Sequence, residues 1–320
     1  MLCLADGSDM MGSLRNPAGW NCLYSHRPTA GMIPGAPPSQ KNPLPYPIST
    51  PGPIARTPMD CAFLLETMAG KTKFSASKVL MDDSVESMRI GWLGDWGGEI
   101  PFEDGIISKC RGALDVLKQD GLFVDDLANE PIFPRSLLWD SWKSIRFATV
   151  AFNYTQEFDA EVLLSDASSI EIREELRWEI GEGQKVTEAD LSQASQVHKM
   201  YSESLNGIFS KYDFLALPSA QLWPFPADWK WPKTVGGITM DTYHRWMEIC
   251  VPVSFGGLPC STIPAGFGEN GLPIGVQIFA KRDDDVKLLR LANAFHKKTN
   301  WPSCSLLSET SNSIMCYEAQ

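Results

Sequence analysis

Apolar residues recur at helical spacing in two stretches of the chain, and charge marks a third helix. Cys61, Leu64, Leu65 and Met68 share one helical face. Thr57 caps that helix, Pro58 suits its first position, Asp60 follows the cap by three residues and Gly70 closes it. Ile106, Cys110, Ala113, Leu114 and Leu117 form a second face, stopped at Gly121. A last helix opens at Asp283, Asp284 and Asp285 and ends near Lys297 and Lys298, acids first and bases last, as the helix dipole favours. Short apolar runs at 89–93, 122–124, 214–217, 261–263 and 274–279 read as buried strands. The strand, helix, strand order over 89–124 predicts a right-handed crossover packed on a sheet. From about 136 to 210 the pattern is mostly helical, and its charge-laced middle, 171–177, reads as a solvated face. Eight prolines between 31 and 53 each remove an N–H donor. That run is expected to be a long surface connection, neither helix interior nor central strand.

This alternation predicts an α/β protein, and 320 residues bury a substantial core. Lys and Arg number 28 against 39 Asp and Glu, a formal charge of −11. An acidic chain without a basic run argues against nucleic acid and anionic membrane surfaces as partners. No stretch reaches the roughly 18 apolar residues of a membrane helix, and an acid at position 6 interrupts any signal-peptide core. The eight cysteines have no CxxC spacing, and the four histidines form no metal-ligand cluster. A cytoplasmic protein with free thiols, no metal and no cofactor is the expectation.

The most informative segment is Gly7-Ser8-Asp9-Met10-Met11-Gly12-Ser13-Leu14-Arg15-Asn16-Pro17-Ala18. It resembles the nucleophile segment of the amidase signature family, Gly-Ser/Thr-Asp-x-Gly-Gly-Ser-Ile/Leu-Arg-x-Pro-Ala. Further blocks follow the family's order: Gly52-Pro53-Ile54-Ala55-Arg56-Thr57 through Met68-Ala69-Gly70, Tyr243-His244-Arg245-Trp246-Met247-Glu248, Gly257-Leu258-Pro259, Pro264-Ala265-Gly266-Phe267, and Gly271 to Gln277. The resemblance spans about residues 5–301, with gaps in the helical middle. It implies a mixed β-sheet sandwiched by helices (α/β/α) and hydrolysis of a carboxamide C–N bond of a small-molecule substrate through an acyl-enzyme.

By the same resemblance Ser13 is the nucleophile. The backbone N–H groups of Met10, Met11 and Gly12 are its oxyanion cradle, and Asp9 and Arg15 hold the loop in shape. Met11 stands where the family has a Gly, which matters only if that residue adopts a positive φ. Ser25 and His26 replace a Gly and an apolar residue and are expected to loosen packing beneath the loop. Tyr243 and Trp246, with Trp223 and Phe225, are candidates for an aromatic acyl pocket.

In the family a catalytic Lys and a second Ser, in a Gly-Gly-Ser-Ser-Gly-Gly loop, lie upstream of this segment. Only twelve residues precede Ser13 here, and none is Lys. The expectation is therefore a partial domain, 1–301, with its N-terminal part missing, followed by a tail, 302–320. A homo-oligomer or a partner protein would cover the face so exposed. Alternatives are a non-catalytic amidase-like remnant or binding module, and a relative of the amidotransferases that pass ammonia from glutamine to a tRNA-borne amino acid. His26 and His244 are the only local candidates for a substitute base, against the simpler expectation that they are ordinary core or surface imidazoles.

Overall fold

The computed structural model describes residues 3–35, 39–81, 84–129, 131–165 and 170–301, so the tail lies outside the described residues. Eight strands form one mixed sheet. In spatial order they are β1 (Leu4–Asp9), β3 (Thr50–Ala55), β2 (Tyr24–Arg27), β9 (Cys260–Phe267), β10 (Pro273–Ala280), β6 (Phe214–Pro218), β4 (Arg89–Trp92) and β5 (Phe123–Asp126). β4 runs parallel to both β5 and β6, and the remaining pairings are antiparallel. A separate ribbon pairs β7 (Thr234–Val235) with β8 (Ile238–Thr239).

Side-chain alternation on the central strands builds two cores. Phe214 and Ala216 of β6, with Val276 and Ile278 of β10, face α2 (Pro58–Ala69), α4 (Ile106–Lys118) and α10 (Asp285–Thr299). Leu215, Leu217 and Phe279 face the opposite layer, α5 (Arg135–Thr155), α8 (Glu188–Phe209) and α9 (Val251–Phe255). Strands buried on both faces read as continuous apolar runs, which is why 214–217 and 274–279 stand out in the sequence. The layers are those of an α/β/α sandwich. α1 (Arg15–Trp20) follows the nucleophile-like segment, and α3 (Ser77–Leu80) packs on α10. α6 (Ala160–Leu164) and α7 (Glu174–Gly183) form an outer cluster on α5.

The helix signals hold residue by residue. Thr57 accepts from the Asp60 N–H, Pro58 opens α2, and Gly70 ends it at φ +83°. Asp285 begins α10, and His296, Lys297 and Lys298 occupy its last turn.

Two expectations are corrected. The proline run is loop only as far as Ser49; Pro51 and Pro53 lie within β3, an interior strand between β1 and β2. The ladder to β2 ends at Ser25↔Ile54, so both prolines fall beyond it and no hydrogen bond is forfeited there. His26 does not loosen the packing. It is fully buried, with Nδ1 2.9 Å from Ser261 Oγ and Nε2 3.0 Å from Asp285 Oδ1. Asp285 also accepts from the Thr29 N–H at 2.9 Å and the Thr29 hydroxyl at 2.6 Å, tying β2 and its following turn to the start of α10.

Asp285→Ala strands these donors in the core, so a loss of about 2–4 kcal/mol is expected from the urea-unfolding midpoint. A loss below about 1 kcal/mol would show that water replaces the carboxylate.

Candidate active site

β1 is an outer strand of the sheet and delivers the chain to a loop whose shape is set by one buried carboxylate. Asp9 accepts hydrogen bonds from the backbone N–H of Gly12 (2.7 Å) and Leu14 (3.2 Å). The same carboxylate receives Arg15 Nε at 2.9 Å and Arg15 Nη2 at 2.8 Å, a bidentate pair. Arg15 then reaches across the core. Its Nη1 donates to the Cys250 carbonyl (2.9 Å) and Gln277 Oε1 (2.8 Å), and its Nη2 to Ser254 Oγ (2.7 Å). Arg27 places a second guanidinium 3.8 Å from Asp9.

Asp9, Arg15 and Arg27 are all fully buried. Burial pushes the Asp9 carboxyl up, but Arg15, with help from Arg27 and the Gly12 N–H, outweighs it and holds the group at about 2. Burial beside the cation Arg15 pulls Arg27 down to about 10, although Asp9 opposes this.

The locked loop leaves Ser13 exposed at its crest. The strained conformation falls on Gly12, at φ +99°, and not on Met11. A Cβ at Gly12 would also fall onto the Asn16 side chain and come within 2.6 Å of Cys250 Sγ. Met is therefore harmless at position 11. Its side chain is buried, and its Sδ accepts from Trp142 Nε1 at 3.2 Å. Met10 Sδ accepts from Arg146 Nη1 at 3.3 Å.

One expected donor is corrected. The Gly12 N–H points to Asp9 and is committed there, so it shapes the loop and is not aimed at an oxyanion. The N–H groups of Met10 and Met11 have no such partner among the described residues.

The aromatic candidates separate. The Tyr243 hydroxyl donates to Glu179 Oε2 and accepts from Arg146 Nη2, both at 2.7 Å, and burial pushes it up to about 12. Trp246 stacks on Trp20 at 5.7 Å and meets Phe225 edge-on, in a cluster with Leu222, Val235 and Met240. Trp223 Nε1 donates to the Asp104 carbonyl, beside a different cavity.

The histidines offer no base to Ser13. His26 is bound to Ser261 and Asp285, as above. His244 sits among Trp139, Phe147, Trp178 and Tyr243, and burial, aided by Arg146, Lys143 and Arg245, lowers it to about 2. His198 lies 2.5 Å from the Tyr46 hydroxyl and His296 3.2 Å from that of Tyr24. Among the described residues Ser13 Oγ has no hydrogen-bond partner, and no cluster of three His, Cys, Asp or Glu groups could hold a metal.

A groove of about 990 Å³ lies past the ends of β4 and β5, among Asp95, Glu99, Glu103 and Asp126. The cavity adjoining the loop is smaller, about 450 Å³, and meets Met10.

Sequence reasoning missed Trp142, Arg146, Glu179, Ser254 and Cys250. Only the four-residue spacing of Trp142 and Arg146 hinted that one face of α5 grips the loop.

Asp9→Asn leaves buried guanidinium charge without its counter-ion, so a loss of about 3–5 kcal/mol at pH 7 is expected by urea unfolding. Because folding lowers the Asp9 pKa, its stabilisation is complete above the unfolded value near 4 and disappears as pH falls towards 2. The gap between wild type and variant should narrow over that window. A gap independent of pH contradicts the ion-pair account.

The amidase family model matches residues 1–289 of this chain. The A-type subunit of the glutamyl-tRNA(Gln) amidotransferase of Dehalococcoides mccartyi strain CBDB1 is 26% identical over 92% of this chain and 63% of that protein. Its Thermotoga maritima counterpart is also 26% identical, over 93% and 65%. Among solved structures, a bacterial aryl acylamidase of the amidase signature family superimposes with a TM-score of 0.78 at 23% identity, covering 94% of this chain and 63% of that one. The 6-aminohexanoate cyclic dimer hydrolase in complex with its substrate gives a TM-score of 0.75 at 21% identity, covering 93% and 65%. The chain thus spans a little under two thirds of the length of the relatives it matches. The fold, the family model and the ordered motifs agree, and the chain belongs to the amidase signature family.

Proposed function

We propose that this chain carries the nucleophilic half of an amidase that hydrolyses a small carboxamide through an acyl-enzyme on Ser13. The observation that carries the reading is the exposed Ser13 on a loop locked by the buried Asp9–Arg15 pair, with the Met10 and Met11 N–H groups left unspent. In the reaction, Ser13 Oγ loses its proton to a base and bonds to the amide carbon. The carbonyl oxygen becomes an oxyanion, which the Met10 and Met11 N–H groups receive. Collapse of the adduct breaks the C–N bond, the amine leaves with a proton, and water then hydrolyses the ester. Asp9 and Arg15 act at one remove, by holding the cradle before substrate arrives.

The base comes from outside the described residues, on a preceding segment or on a partner chain that covers the outer edge of β1. No metal or organic cofactor enters the scheme. We place the protein in the cytoplasm; the buried free thiols Cys22, Cys61, Cys110, Cys250 and Cys260 suit a reducing compartment. Among the described residues no helix is long and apolar enough to cross a membrane.

The names of the curated relatives favour a second reading, that of one component of an amidotransferase. Stable association with companion subunits and release of ammonia from glutamine would establish it.

A fluorophosphonate probe tests the primary reading. The 320-residue chain alone should label slowly or not at all. Labelling on Ser13 should appear once a polypeptide bearing the family's Lys and Gly-rich Ser loop is supplied, and vanish in Ser13→Ala. Loss of a unit of this kind costs up to about 10⁶-fold in kcat. No labelling under either condition would leave the non-catalytic remnant as the reading that stands.

A further inference from the structure

Met10 and Met11 make no backbone hydrogen bond among the described residues; the Asp9 carboxylate reaches past them to Gly12 and Leu14. Their N–H groups can stay free and still be aimed only if something else fixes the two peptides. The side chains supply that hold. Trp142 and Arg146 lie one turn apart on α5 and share a face. Trp142 Nε1 donates to Met11 Sδ at 3.2 Å, and Arg146 Nη1 donates to Met10 Sδ at 3.3 Å.

Arg146 is itself braced. Its Nε and Nη2 donate to Glu179 of α7, and Nη2 also donates to the Tyr243 hydroxyl at 2.7 Å. That hydroxyl donates to Glu179 Oε2 at 2.7 Å, which closes a ring of three side chains. The Glu179 side chain is buried and that of Arg146 nearly so. A guanidinium is a planar fork, so with Nε and Nη2 engaged the edge carrying Nη1 has one direction left, and it meets Met10. A buried ion pair is an inefficient source of stability, because desolvation offsets most of its Coulombic gain. What a braced pair does supply is direction. A thioether is a weak acceptor on an unbranched side chain with three rotatable bonds, and a fixed donor selects one of its many arrangements.

We propose that Arg146 is a positioning residue of the nucleophile loop: braced by Glu179 and Tyr243, it holds Met10 by its sulfur and so fixes the Met10 and Met11 N–H groups. The proposal deepens the reading of Ser13 as nucleophile and rests on it for its consequence in the reaction. The loop then has two supports, Asp9 from the core and Arg146 from α5. Misplacing a reacting or stabilising group by about 1 Å costs on the order of 100-fold in rate, so the second support matters more to the reaction than to the fold.

Two substitutions at Met10 separate a hydrogen-bonded clamp from packing alone. Met10→Gln keeps the length of the side chain and offers Arg146 a stronger acceptor, whereas Met10→Leu stays apolar and offers none. In the 320-residue chain, the backbone amide order parameters at positions 10 and 11 should be about 0.85 in the wild type and in Met10→Gln. They should fall below about 0.6 in Met10→Leu. Slow exchange of the Gly12 and Leu14 amides in all three chains checks that the Asp9 lock and the fold are intact. With the polypeptide bearing the family's Lys and Ser loop added, fluorophosphonate labelling at saturating probe should slow about 10-fold or more in Met10→Leu. The half-saturating probe concentration should not change, and Met10→Gln should stay within about 3-fold of the wild type. Packing alone predicts the opposite order, with Leu tolerated and Gln not. That order, equal rigidity in all three chains, or wild-type values below about 0.6 would overturn the proposal. Loss of order in Met10→Leu without any labelling of Ser13 keeps the clamp and removes the amidase. Labelling of Ser13 with equal order in all three chains does the reverse.

Discussion

The buried Asp9 carboxylate is the constraint on which the rest of the site depends. A carboxylate stripped of water must be compensated, and here two backbone N–H groups and the fork of Arg15 compensate it. Arg15 cannot be satisfied locally either, so it reaches the Cys250 carbonyl, Ser254 and Gln277. The end of β1, the start of α1, the turn into α9 and the middle of β10 are thereby joined at one point, although they are as much as 262 residues apart in sequence. The loop that carries Ser13 is the solvent-facing side of that junction. Its conformation is held by the core and needs no ligand to form.

Several elements were legible because local chemistry decides them. Thr57, Pro58 and Gly70 bound α2 through capping and backbone geometry, which act within a few residues. The runs 214–217 and 274–279 were readable because both faces of those strands are buried. The motif around Ser13 was readable as a resemblance, and the roles of Asp9 and Arg15 as loop supports followed from it. The Gly12 N–H was not. Whether an amide points inward to a carboxylate or outward to a substrate is set by φ and ψ, and nothing in a Gly-Ser pair reports that.

Other features escaped for a common reason: their partners are remote. His26 looked like a poor fit beside the loop, yet Ser261 and Asp285 make it a bonded core residue. Pro51 and Pro53 argued against an interior strand until the short reach of β2 was known. The Met at a family Gly position is accommodated by Trp142, on a helix in the least family-like part of the chain. That helical middle therefore packs directly against the loop. α5 walls the loop and its adjoining cavity, and the Glu179, Arg146 and Tyr243 cluster braces it from outside.

Residue-resolved amide hydrogen exchange of the free protein tests the central claim most directly, namely that Asp9 organises the loop around Ser13 before any ligand binds. The account predicts slow exchange at the Gly12 and Leu14 amides and fast exchange at Met10 and Met11, within a single five-residue stretch. Exchange at Gly12 as fast as at Met10 and Met11 would contradict it, since the carboxylate would then not be holding the loop.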